Sequence, residues 1–428
     1  MDLPFELGAL GLRGQSAIGL IAFTFIAWLF SSSKLRFPFV AAVLGIVSQI
    51  AIAWVLLYLP PARNALASLQ VVVKALQDST RAGTSFVFGF LGGAEAPFEV
   101  ANQGAMFNFA FGALPLVIFF SGLSALLWHW GVLKVFVRVL AFLLQRAFRV
   151  GGAVALAAAA NTFLGQTEAP LLIRAYLSKV TRPELFIVIT TGFATVAGSV
   201  MAVYATILSN IDPSMLGHII VASIISVPAA ILMGQIMMPD GKGVKPTPAD
   251  AADDFGYASS MDAFMRGVTD GLGLYLNIIA SLIAFTAFAA LINIMLSAAP
   301  DIMGAPLTLE RLLGWIFAPF MWLAGVPWKE AFDAGSLMGV KTAVNELVAY
   351  VELSKMPADT FSERSLLIVI YSMCGFANFA SLGIVIGGLT ALAPDRRQDV
   401  IALAPRALVA GTLATMMTGA VIGLIWVG

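Results

Sequence analysis

Asn161-Thr-Phe-Leu-Gly-Gln-Thr-Glu-Ala-Pro-Leu-Leu-Ile173 sets five polar side chains, a glycine and a proline into chain that is otherwise apolar. Residues 151–160 before it are all small or apolar, and residues 171–177 after it are apolar except for Arg174. Each flank has roughly seven to ten residues, which at ~1.5 Å per helical residue is about half of a ~30 Å bilayer core or a little less. The pattern predicts a re-entrant hairpin. Its tip would bring Gly165, Gln166, Thr167 and Glu168 to mid-membrane, where irregular backbone is tolerated only if it is buried in protein or lines a cavity. Polar groups at that depth are costly and point to function.

The rest of the chain fits a membrane setting. Of its 428 residues 60% are hydrophobic and 11% charged, and the mean hydropathy is +0.92. No soluble core absorbs so much apolar chain, and the class is an all-α polytopic membrane protein. The 24 basic residues balance 24 acidic ones, with no dense basic cluster among exposed aromatics, which argues against a nucleic-acid partner. The single cysteine, Cys374, excludes an internal disulfide, and the isolated His129 and His218 argue against a zinc site. The acidic first seven residues lack the basic region of a removable signal peptide.

A second stretch echoes the first. Lys341-Thr-Ala-Val-Asn-Glu-Leu-Val-Ala-Tyr350 places Asn345 and Glu346 at the break of another apolar run. Each hairpin stretch is followed by a similar phrase, Gly192-Phe-Ala-Thr-Val-Ala-Gly-Ser199 after the first and Gly375-Phe-Ala-Asn-Phe-Ala-Ser381 after the second. Paired interrupted hydrophobic segments at corresponding places in two halves mark a secondary transporter's binding site.

Hydropathy places spans at 15–30, 37–59, 105–127, 184–208, 216–238, 267–296, 366–389 and 408–427. Lys34 and Arg36 make the first short loop cytoplasmic, as do Lys134, Arg138, Arg146 and Arg149 for the stretch before the first hairpin, and Lys242 and Lys245 for the polar loop 239–261. Residues 63–81, with Leu66, Leu69, Val72, Val73 and Leu76 on one face, read as an interfacial helix, and 307–323 as its counterpart before the second hairpin. Eight spans and two opposed hairpins in an inverted repeat follow, with both termini periplasmic. The expected organisation is N-terminal scaffold spans over 1–130, a first transport repeat over 131–238, a cytoplasmic loop and long scaffold span over 239–300, and a second transport repeat over 301–428.

These residues carry a specific resemblance. Gly165-Gln-Thr-Glu-Ala-Pro-Leu-Leu-Ile173, Asn345-Glu346 with Val348-Ala-Tyr350, and Gly375-Phe-Ala-Asn-Phe379 resemble the motifs of the concentrative nucleoside transporter family, in the same order. The resemblance implies a homotrimer in the bacterial inner membrane, with scaffold and transport domains, importing nucleosides such as uridine by symport with sodium, or alternatively with protons. It also implies residue roles. Gln166, Thr167 and Glu168 match positions that address the nucleobase, and an amide offers both donor and acceptor to a base edge. Glu346 and Asn378, with Ser381 beside them, match positions that hold the ribose, where a carboxylate accepts charge-assisted bonds from sugar hydroxyls. Val200 and Phe376 match apolar positions bracketing sugar and base. Asn161, Leu164, Thr195 and Val196 match the Na+ site, built from side-chain oxygens and carbonyls freed by broken helices. Leu347 and Ala380 depart from the family's commoner phenylalanine and serine.

Plainer roles compete with these. Glu168 could be structurally paired with a basic residue, and Glu346 with Lys341; Thr195 and Ser199 could bond only to helix carbonyls; Phe376 could be packing. A channel would also place polar groups at mid-membrane, but has no need of two opposed, non-identical hairpins. An intramembrane enzyme would need a nucleophile elbow or a metal motif, and neither Gly-x-Ser-x-Gly nor His-Glu-x-x-His occurs.

Overall fold

The computed structural model describes residues 9–34, 37–101, 106, 108–209, 211–212, 214–241, 246–247, 255–302 and 304–427. Arg36, Lys242 and Lys245, used above to assign sides, lie outside these residues, as do the first seven residues and position 105, where the third span is expected to begin. The described chain is helical. In order come α1 (Ala9–Leu29), α2 (Phe39–Tyr58), α3 (Pro60–Phe88), α4 (Leu116–His129), α5 (Val132–Phe148), α6 (Gly152–Ala160), α7 (Arg174–Leu177), α8 (Arg182–Ala194), α9 (Gly198–Leu208), α10 (Met215–Met237), α11 (Ser260–Leu296), α12 (Leu309–Ala324), α13 (Trp328–Ala343), α14 (Glu346–Leu353), α15 (Glu363–Met373), α16 (Phe379–Leu392) and α17 (Arg397–Ile425).

Among the described residues, seven helical stretches are long and apolar enough to cross a bilayer. The expected span over 366–389 is not one of them, because it is divided into α15 and α16 with irregular chain at 374–378. The span over 184–208 is likewise divided, between α8 and α9, where Thr195 and Ala197 are extended. Local chemistry fixes these ends. The Asn378 side chain caps α16 by accepting from the Ser381 N–H at 2.7 Å, replacing a bond that the first turn of a helix cannot make within itself. At the other end of the first broken span, Thr181 and Glu184 form a reciprocal capping box at the start of α8.

Two pairs of elements occupy the hairpin stretches. In the first, α6 packs against a 3-10 turn, Ala169–Ile173, that leads into the single turn α7. The return arm is thus less helical than the entry arm, as expected where Pro170 denies a backbone donor. In the second, α13 packs against α14, and Asn345 caps α14 by accepting from the Val348 N–H at 3.0 Å. The two helices expected at the interface are longer or shifted relative to the sequence reading: α3 covers Pro60–Phe88, opening with two prolines where a missing N–H does no harm, and α12 covers Leu309–Ala324. The long span extends to the 37-residue α11, because the Ser259 hydroxyl accepts from the Asp262 N–H at 3.1 Å and starts the helix before the apolar run.

Close approach between helices rests on small residues. A methyl at Gly267 would lie 2.6 Å from the Ser121 carbonyl oxygen and one at Gly271 2.8 Å from Ile118 Cα, so α11 meets α4 backbone to backbone. The 182–208 and 215–237 segments are almost wholly enclosed. Most of α11 is not, and it leaves Leu272, Leu276, Ile283, Phe288, Leu291 and Ile294 exposed. Two arginines tie the enclosed part together. Arg396 donates to the Leu177 and Val180 carbonyls at 3.2 and 2.6 Å, fastening the exit of the first hairpin to the start of α17. Arg364 donates to the carbonyls of Gly325 and Gly423 at 2.6 Å each and to that of Leu12 at 3.0 Å, joining the approach to the second hairpin with α17 and α1.

Candidate substrate-binding site

A cavity opens where the two hairpin tips meet the two breaks. The first tip contributes Gln166, Thr167 and Glu168, α9 contributes Val200 and Tyr204, the second tip Asn345, Glu346 and Leu347, and the second break Phe376, Asn378 and Ser381. Every residue expected to touch a nucleoside (Gln166, Thr167, Glu168, Val200, Glu346, Phe376, Asn378 and Ser381) therefore lines one space. The far wall is α11, through Leu274, Asn277, Ile278 and Ser281. A larger groove beside α3 is lined by Asp78, Arg81 and Glu95, but these side chains are exposed and Arg81 is already bonded to the Gly93 carbonyl. It lacks the buried, converging polar groups that distinguish a small-molecule site.

Glu346 is the centre of the polar end. It is buried, and each of its oxygens already accepts one bond: Oε1 from the Tyr204 hydroxyl at 2.5 Å and Oε2 from the Asn378 Nδ2 at 2.7 Å. Asn378 thus has two jobs, capping α16 with its oxygen and steadying the carboxylate with its nitrogen. Lys341, the plainer partner for Glu346, is fully buried, but its Nζ makes no hydrogen bond among the described residues. The carboxylate's hydrogen bonds thus come from neutral donors, and Lys341 acts on it only through charge.

The opposite end is set by the first tip. Glu168 folds back so that Oε2 accepts from the Gly165 N–H at 3.2 Å, closing the turn. The Gln166 Oε1 is buried and has no hydrogen-bond partner among the described residues. An unsatisfied amide oxygen has a desolvation cost of about 1–3 kcal/mol, which a ligand donor would relieve. Behind the tip, glycines replace side chains: a methyl on Gly192 would lie 3.2 Å from Gln166 Cβ, and one on Gly388 2.8 Å from Thr167 Cγ2.

Below the tip lie the four residues matched to the cation site. Asn161 donates from Nδ2 to the Thr191 hydroxyl at 3.3 Å, and the Thr195 hydroxyl donates to the Thr191 carbonyl at 2.8 Å, so both side chains gather at one turn of α8. The first tip and the first break are joined there by the Gly198 N–H, which donates to the Phe163 carbonyl at 3.1 Å, and the break is tied to α10 by the Val196 N–H, which donates to the Ser223 hydroxyl at 3.5 Å. Leu164 is buried beside them and, like Val196, has only its backbone carbonyl to offer. The Asn161 Oδ1 and the Thr162 hydroxyl are buried without hydrogen-bond partners among the described residues. Orphaned hard oxygens next to interrupted helices fit an alkali cation. No group of three or more His, Cys, Asp or Glu that could hold a metal occurs among the described residues.

Sequence reasoning missed Tyr204, Asn277 and Ser281. Each is a polar residue inside a largely apolar helix, and packing brings it to the cavity. For Tyr204 the available signal was its place one helical turn after Val200, on the same face.

Comparison with known proteins bears on this arrangement. Residues 218–423 match the family model described as the C-terminus of Na+ dependent nucleoside transporters, residues 18–91 match the model of their N-terminus, and residues 110–210 match one described as nucleoside recognition. An uncharacterized transporter of Bacillus subtilis, YutK, is 35% identical over 95% of this chain and 98% of its own length. The nucleoside permease NupC of Helicobacter pylori is 33% identical over 96% and 97%. Among solved structures, the transporter CNTnw in an inward-facing substrate-bound state superposes with a TM-score of 0.87 at 35% identity, covering 96% of this chain and 98% of that one. A variant of CNTnw in an outward-facing state gives 0.86 at 34% identity, over 96% and 97%.

Proposed function

Since the chain belongs to the concentrative nucleoside transporter family, whose members are carriers working by alternating access rather than enzymes, we propose that it imports uridine-like nucleosides across the bacterial inner membrane by sodium symport. The observation that carries this reading is the convergence of both hairpin tips and both helix breaks on one cavity. Gln166, Thr167 and Glu168 address the base, with the unpartnered Gln166 oxygen accepting from it. Glu346, Asn378 and Ser381 hold the ribose, and Val200 and Phe376 enclose it. Na+ supplies a positive charge beneath the first tip when bound. Asn161 and Thr195 would hold it with side-chain oxygens, and Leu164 and Val196 with carbonyls.

A carrier must keep its site between two faces that open in turn, and residues 1–130 with α11 supply the frame against which the two repeats move. The apolar face that α11 leaves exposed suits lipid or a neighbouring subunit of a homotrimer. A proton-coupled reading has one observation in its favour, the Glu168 carboxylate, whose hydrogen bond comes from a backbone N–H and not from a basic side chain. Uptake of labelled uridine into proteoliposomes under separately imposed sodium and proton gradients decides between them. Sodium symport requires accumulation driven by inward sodium alone; accumulation driven only by protons replaces it with the second reading.

A further inference from the structure

The Tyr204 hydroxyl donates to Glu346 Oε1, yet Tyr204 belongs to neither hairpin nor to either break. It stands in α9, fully buried, with its ring 4.9 Å from that of Tyr350 at 49°. Tyr350 is itself fixed, donating to the Ile370 carbonyl at 2.9 Å. A line of contacts thus runs from α15 through the second hairpin to α9 and ends on the carboxylate.

A carboxylate has about four lone-pair positions, two on each oxygen. Tyr204 takes one on Oε1 and Asn378 one on Oε2, so these side-chain donors leave an acceptor position on each oxygen. Two adjacent acceptors match the two hydroxyls of a cis vicinal diol. The terminal torsion of a glutamate is broad and roughly two-fold, so the carboxylate plane is not fixed by the side chain itself. We propose that Tyr204 is a specificity-determining positioning residue: by pinning Oε1 it orients the plane of Glu346 so that the two free acceptors meet the 2′- and 3′-hydroxyls together, selecting ribonucleosides over dideoxynucleosides. This rests on the reading of Glu346 as the ribose ligand.

Removing only the hydroxyl, as Tyr204→Phe does, keeps the ring against that of Tyr350 and leaves the carboxylate held by Asn378 alone. The measurement is competition against labelled uridine by uridine and by 2′,3′-dideoxyuridine, on the full-length protein in sodium buffer. In Tyr204→Phe, uridine affinity should fall about two- to tenfold, the worth of one ordinary hydrogen bond, while dideoxyuridine affinity holds. The ratio of the two is the decisive quantity, because a purely structural role would weaken both ligands alike. An unchanged or increased ratio overturns the proposal. If Tyr204→Phe does not assemble, 3-fluorotyrosine installed at position 204 keeps ring and hydroxyl but alters the donor; the ratio must then shift, and a ratio equal to the native one overturns the proposal equally. Glu346→Gln in the same assay separates the two layers. A native ratio there removes the ribose reading itself, whereas a collapsed ratio in Glu346→Gln with a native one in Tyr204→Phe removes only the role of Tyr204.

Discussion

The Phe376 N–H donates to the Thr195 carbonyl oxygen at 3.3 Å, so the two broken spans touch at their breaks. The two repeated phrases are thereby joined, one residue of each supplying half of the bond. Such a junction needs room, which Gly375 provides. A methyl there would lie 2.6 Å from Thr415 Cγ2, 2.9 Å from the Ala194 oxygen and 3.0 Å from the Phe193 oxygen. Two of those atoms are backbone and have little freedom to give way.

Gly375→Ala should accordingly destabilise the protein by about 1–3 kcal/mol, the usual cost of overpacking. Thermal melting in detergent with and without uridine reads this directly. A variant that melts with the native protein would show that the junction is looser than these contacts imply.

Glu346→Gln keeps the shape of the side chain and loses the charge. The loss of charge-assisted bonds to a sugar diol is about 1.5–3 kcal/mol, or about ten- to a hundredfold in uridine affinity. Normal assembly in size-exclusion chromatography with native uridine affinity would take Glu346 out of the site.

Asn161→Ala removes the unpartnered Oδ1 beneath the first tip without touching the cavity lining. It should raise the sodium concentration needed for uptake and weaken uridine binding measured in sodium. Linkage is reciprocal, so sodium must tighten uridine by the same factor that uridine tightens sodium, on the order of 5- to 150-fold. Calorimetric titration of uridine in sodium and in choline gives that factor for both proteins. Equal affinities of the native protein in the two salts would break the coupling.

The sidedness of the hairpins is open to chemical labelling. With Cys374, which is fully buried, replaced to silence the background, cysteines at the exposed Ser178 and Lys355 should react with an impermeant thiol reagent from opposite faces, the first from the cytoplasm and the second from outside. Reaction of both from one face would contradict an inverted repeat.

Much of the site was legible because polar residues stand out in apolar chain. Gln166, Glu168 and Glu346 announce themselves against their neighbours, and a repeated phrase pointed to Thr195 and Asn378. The division of the fourth and seventh spans was less visible, since hydropathy averages across a break of three to five residues, yet Asn378 three residues before Ser381 is a helix-start signal that the averaging hid. Tyr204 could be placed only through Val200 one helical turn before it, and Asn277 and Ser281 were not legible at all. A single polar residue in a span can face lipid-shielded protein, a cavity or a neighbour, and the choice is made by how helices pack rather than by anything local. The early start of α11 had the opposite cause: a cap at Ser259 extends a helix through polar sequence that contributes nothing to hydropathy.

The glycines behind the first tip have a further consequence, for the calibre of the site. Thr167 leans on Gly388, where there is no side chain to push it forward, and Gln166 leans on Gly192. The backstop of the first tip, the end proposed to bind the base, is thus thin, and each added methyl would advance the wall into the cavity without altering a single lining residue. The room between the first tip and the far wall is then set from behind, by Gly192 and Gly388, which lie outside the cavity lining.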